Sequence, residues 1–226
     1  MEDEPKAIVT FYEAVQEVAK TTGKVIDAGR DLAPFLNRVF GAVPEDVVGI
    51  LGGDWLHQAR MRNGIRMLVR TKEILESRGI TSSLKEIAPK HLRPLLGAAA
   101  DDNDDEVVEL WASLLANAMD PNKDVDIRGR FVETLNKFDP IDVRIFKLAG
   151  QNQLPDEMPI PNVPEILGKR ASMVEISLDH LMELKCVIKS NIKVMKKGGG
   201  STRVDALRLT VFGAELYRAC EPDGAD

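Results

Sequence analysis

Cysteine, aromatic residues and excess positive charge are all scarce in this sequence, and each scarcity excludes something. The only cysteines, Cys186 and Cys220, are too few for a disulfide scaffold or a cysteine-rich zinc site. A reducing cytosol is the expected setting. Aromatics make up 5% of the chain, so the core should be built from Leu, Val, Ile, Met and Ala, which favours helices over a β-sandwich. Thirty Lys and Arg stand against 36 Asp and Glu, a net charge of -6, which excludes a globally basic nucleic-acid binder and leaves room only for a local patch. No uncharged apolar run reaches the roughly 18 residues of a membrane-spanning helix. The acidic start, MEDEPK, is not a Sec-type signal.

What is present is an ordinary globular composition. Hydrophobic residues are 44% and charged residues 29% of a 226-residue chain, enough apolar surface to offset chain entropy in one large or two small domains. Charge is unevenly spread. Residues 101–109 carry the acidic run DDNDDEVVE, whereas Lys185, Lys189, Lys193, Lys196, Lys197, Arg203 and Arg208 face a single acid, Asp205, in the stretch 185–208. Such blocks are solvated faces or docking surfaces.

Helical periodicity dominates the first half. Ile8, Phe11, Val15 and Val18 share a face, and helix continues in pieces to residue 39 because Gly23, Gly29 and Pro34 interrupt it. The stretch VFGAVPEDVVGILGGDW (39–55) is glycine-punctuated and apolar. It reads as a buried helix pair or, through residues 25–55, as a membrane-acting segment. Residues 54–78 form a strong helix with Asp54 as N-cap and Gly79 as its stop. Met61, Ile65, Leu68 and Leu75 form its apolar face, and Arg62, Arg66 and Arg70 recur every four residues on another. This ladder suits phosphate or an acidic partner, and the nearest acids are Asp101, Asp102, Asp104 and Asp105. These seven residues are the protein-contact candidates, within the chain or with a partner. The aspartates also start a helix running through Ala118, as the positive end of a helix favours. Their spacing does not fit a calcium loop. Asn117, inside that apolar helix, is either a buried hydrogen-bonding residue or a surface one.

The last third has a recognisable order. Asp139–Pro140 opens a helix over 140–150. Four prolines between 155 and 164 mark an extended loop. A short helix at 164–170 precedes a helix over 178–185 with Ser177 as N-cap. Strands at 186–194 and 203–210 flank the glycine-rich MKKGGGST, and Thr210 caps a final helix over 211–220. The phrases LDHLMELKCVI (178–188) and LRLTVFGAELYRAC (207–220) in this order resemble a winged-helix module. Many winged helices carry glycine where Lys185–Cys186 stands here. In that motif the second helix of the pair enters the major groove, but here it carries Glu175, Asp179 and Glu183, which repel phosphate. Lys193, Lys196, Lys197 and Arg203 on the wing are the nucleic-acid candidates, suited to sequence-independent backbone contact.

Four stretches carry a second likeness: VPEDVVGILGGDWL (43–56), HQARMRNGIRML (57–68), LLGAAADDNDDEVVELWASLLANAMDP (95–121) and FVETLNKFDPIDVRIFKLA (131–149). They resemble the abortive infection alpha family, a bacterial family, over about residues 20–220, and ELWASLLANAMDP is the most specific block. The resemblance implies a soluble bacterial protein linked to defence against phage and brings no catalytic residues with it. The residues themselves supply none. His57, His91 and His180 form no zinc motif, no phosphate loop or nucleophile elbow is present, and both cysteines suit small core positions.

The expectation is therefore mainly α: an N-terminal helical domain (1–125) followed by a winged-helix-like domain (131–221) with one β-hairpin. Function is expected to be non-enzymatic phage defence in the cytoplasm through macromolecular contacts. The partner would be another protein or a second copy of the chain, no cofactor or metal is implied, and no membrane span is expected. A DNA-binding regulator and a membrane-acting toxin are the alternatives.

Overall fold

The computed structural model describes residues 4–22, 32–40, 57–81, 83–151, 158–195 and 201–221. It is mainly α with one small antiparallel sheet. Two compact units divide the chain, Met1–Asn136 and Lys137–Asp226, and each is described by itself.

The first unit is helical among its described residues: α1 (Glu4–Thr22), α2 (Ala33–Phe40), α3 (His57–Ser77), α4 (Pro89–Asp101), α5 (Asp105–Met119) and α6 (Gly129–Leu135). Helix α3 packs against α1, α4 and α5. Its expected face, Met61, Ile65, Leu68 and Leu75, is buried. Helix α5 is apolar almost all round because it is enclosed almost all round: from Val107 to Met119 only Glu109 escapes burial. Asp104 starts it as expected, its carboxylate accepting from the Glu106 N–H at 2.9 Å and the Val107 N–H at 3.4 Å. Gly79 ends α3 with φ 73°. The Ile80 N–H reaches back to Leu75 O and the Gly79 N–H to Glu76 O, both at 2.9 Å, so the last carbonyls are satisfied. Residues 83–88 are non-helical, with the Lys85 N–H on Met119 O at 2.9 Å and Pro89 disfavouring helical backbone at Ala88.

The second unit runs α7 (Pro140–Gln151), β1 (Met158–Pro159), a 3-10 turn (Ile160–Asn162), α8 (Val163–Leu167), α9 (Ala171–Glu183), β2 (Val187–Met195), β3 (Ser201–Leu209) and α10 (Val211–Cys220). Strand order is β1-β3-β2, with Val187 opposite Leu209 and Met195 opposite Ser201. Strand β1, inside the proline-rich stretch expected to be loop, pairs Met158 with Leu207. Phe138, Phe146 and Tyr217 stack edge to face at 5.3 and 5.8 Å in the core.

Two details depart from expectation. Helix α9 starts at Ala171, six residues before Ser177, which is buried within it. Gly168, at φ 60°, closes α8 so tightly that the chain re-enters helix at Ala171. At the end of α9, Lys185 holds φ 61° in the same kind of cap, with the Cys186 N–H on Leu181 O at 2.9 Å and the Lys185 N–H on Met182 O at 3.0 Å. The position where glycine is usual therefore has the backbone that favours glycine, and here lysine adopts it.

Candidate functional site

The arginine ladder of α3 is tied into its own unit. Arg62 donates to Glu17 on α1 at 2.8 Å. Arg66 donates to Asn103 O at 2.8 Å and lies 3.3 Å from Asp105. Arg70 forks onto both oxygens of Glu109, at 2.6 and 2.8 Å, and reaches Glu73 at 3.3 Å. The Glu109 hydrogen bond raises the Arg70 pKa beyond its usual range, against the opposing pull of burial. Arg60, not singled out from the sequence, pairs with Asp101. Between α1, α3 and α5 lies a cleft of about 170 Å³ floored by Val18, Val69 and Val108, where Arg66 Nε is buried without a hydrogen-bond partner.

The remaining acids of the run serve local structure. Asp104 caps α5. Asp102 accepts from the Trp111 indole N–H at 2.6 Å. Burial pushes the Asp102 carboxyl up, the Trp111 bond pulls it down, and the neighbouring Asp101 and Asp104 charges push it up again.

Asn117 is fully buried. Its side-chain oxygen accepts from Arg78 at 2.7 Å and Lys123 at 3.0 Å, while Arg78 also meets Asp120 at 3.2 Å. The side chains of Arg78 and Asp120 are only 9% and 4% exposed. The sequence signal was available: an arginine just before the Gly79 stop, and an aspartate before Pro121 at the end of the neighbouring helix.

In the second unit Asp142 is 1% exposed. One of its oxygens accepts from the Asp139 N–H at 2.9 Å and from His180 Nδ1 at 2.8 Å; the other is buried without a partner. This is half a capping box, with the acid at the third helical position reaching back to the N-cap amide. It fixes α9 to the start of α7. Cys186 and Cys220 are both buried and unbridged, and burial drives the Cys220 thiol far above its usual range. Among the described residues no group of three or more His, Cys, Asp or Glu is placed to hold a metal ion.

The outward side of α9 is different in character. Glu175, Asp179 and Glu183 recur every four residues as an exposed stripe there, beside Ile176, which is 71% exposed. Beside them opens a groove of about 350 Å³, lined by Ile160 and Leu178 at its apolar part and by Glu175, Asp179, Lys189 and Asp205. On the hairpin, Lys193 stands directly opposite Arg203, and both are exposed. Among the described residues, neither these cations nor the three α9 carboxylates form an ion pair. Lys196 and Lys197 lie outside the described residues, as does most of the stretch 25–55; within it, Leu32, Phe35 and Leu36 are buried. Among the described residues no helix is long and apolar enough to cross a membrane.

A family model described as abortive infection alpha matches residues 62–220. The chain belongs to that family. No curated protein and no solved structure matches it. The matched span takes in α3 with most of its arginines, the buried Arg78 network, α9 and the hairpin, so the abortive infection alpha match covers residues of both compact units.

Proposed function

We propose that this abortive infection alpha protein defends a bacterial cell against phage from the cytoplasm, by docking on another macromolecule through a winged-helix-like second unit. The order helix, short strand, helix, helix, hairpin, helix and the sheet order β1-β3-β2 support that reading of the unit. The observation that carries the function is the outer face of α9: three carboxylates with no ion pair among the described residues, beside an isoleucine 71% exposed. An exposed apolar side chain beside a stripe of charge of one sign suits a protein surface of opposite sign. It does not suit a nucleic-acid groove, where those carboxylates meet phosphates.

The test is protection of cells from phage by wild type and by Ile176→Asp at matched soluble levels. Protection is lost in the variant if α9 docks a partner, and full protection by the variant overturns the reading. A second reading, contact with a nucleic-acid backbone, is favoured by the opposed Lys193 and Arg203. It predicts a salt-sensitive gel shift with duplex DNA that Lys193→Glu with Arg203→Glu removes, and no shift at low salt rejects it.

A further inference from the structure

We propose that copies of this chain associate with one another, the β2–β3 hairpin of one copy seating its cations in the acidic groove beside α9 of another. This rests on the reading of the α9 face as a contact surface and names what covers it.

In the first unit Arg60, Arg62, Arg66, Arg70 and Arg78 all meet carboxylates. In the second unit no ion pair among the described residues holds Glu175, Asp179 and Glu183 on α9 or Lys193 and Arg203 on the hairpin, and the α9 groove counts one cation, Lys189, against Glu175, Asp179 and Asp205. Like charges directly opposed across two strands oppose pairing, and a carboxylate placed between them relieves that repulsion. The groove matches the side chain it would receive. Ile160 and Leu178 offer an apolar wall for the methylene stem of a lysine or arginine, and Glu175 and Asp179 receive its head.

Three occupants compete. A foreign basic protein satisfies the groove and leaves the hairpin cations exposed. Duplex DNA satisfies the hairpin and is repelled by α9. A second copy satisfies both at once, and the sequence adds Lys196 and Lys197 between the two strands. Lys189 and Asp205 of the same two strands line the groove, so hairpin cations and groove are neighbours. Seated reciprocally about a two-fold axis they close a dimer; seated one way only, each contact leaves one of each free and builds rings or open chains.

Sedimentation velocity of the full chain tests this. Wild type should form larger species as concentration rises at about 0.05 M salt and revert to single chains at about 0.5 M. Glu175→Lys with Asp179→Lys makes both surfaces basic; Lys193→Glu with Arg203→Glu makes both acidic. All four positions are exposed, so both variants should keep the wild-type circular dichroism. Each alone should associate at least tenfold more weakly than wild type, and an equimolar mixture of the two should associate again. Wild type that stays single at low salt, variants that associate like wild type, or a mixture that stays apart overturns the proposal. If association is absent while Ile176→Asp still abolishes protection, this inference falls and the α9 reading stands with a foreign partner. If Ile176→Asp protects fully, the α9 reading falls whatever the sedimentation shows.

Discussion

The cluster of Arg78, Asn117, Asp120 and Lys123 gives the sharpest stability prediction. Asp120→Ala removes the carboxylate facing Arg78, whose side chain is 9% exposed. Arg78 keeps its bond to the Asn117 side-chain oxygen, which also serves Lys123. Breaking a buried ion pair by removing one member costs about 3–5 kcal/mol. The substitution also frees the Asn122 N–H, which donates to Asp120 at 2.8 Å, worth about 1 kcal/mol more. Asp120→Asn keeps an acceptor for that amide and isolates the charge effect. The assay is urea unfolding followed by tryptophan fluorescence, since Trp55 and Trp111 both fall within the first unit. Arg78→Met in the Asp120→Asn background should recover most of the loss, because it removes the buried charge that faced Asp120. A loss below about 1 kcal/mol for Asp120→Ala, or strict additivity in the double variant, refutes the reasoning.

Lys185→Gly should stabilise the second unit by about 0.5–1 kcal/mol, because lysine at φ 61° carries a left-handed strain that exceeds glycine's extra chain entropy; thermal melting checks it. Gly213→Ala should destabilise by about 2 kcal/mol or more, since its Cβ would sit 1.8 Å from the backbone oxygen of Cys186, which cannot swing aside as a side chain would. The raised Asp102 pKa means the folded chain holds that proton more tightly than the unfolded one. Its contribution is therefore fully present below the ordinary aspartate pKa of 3.8 and is lost as pH rises through the folded value. Asp102→Asn, which keeps an acceptor for Trp111, should thus gain more over wild type at pH 7 than at pH 3 in chemical denaturation.

Local chemistry was legible in the sequence where one residue decides a structure. Asp104 and Thr210 cap helices as their types imply, Thr210 accepting from the Gly213 N–H at 2.9 Å. Gly79 ends α3, and the glycine-rich segment joins two strands. The start of α9 was not legible, because Ser177 is a good cap type and nothing local reveals that the turn at Gly168 has already restarted helix. The arginine spacing announced a stripe but not its partners. Arg62 meets Glu17 across 45 residues and Arg70 meets Glu109 across 39, pairings that only helix packing decides. The same holds for His180 and Asp142, 38 residues apart. On the α9 face the acids were visible in the sequence, but the groove beside them is assembled from α9, the turn after β1 and both long strands.

Phage plating on cells that express Glu175→Lys with Asp179→Lys tests most directly whether defence is exercised through that face. The substitutions reverse charge at two exposed positions and leave every buried contact in place. Plaque numbers should rise to those of cells lacking the protein, with the variant present at the wild-type soluble level. Plaque numbers held at the wild-type protected level would contradict the account.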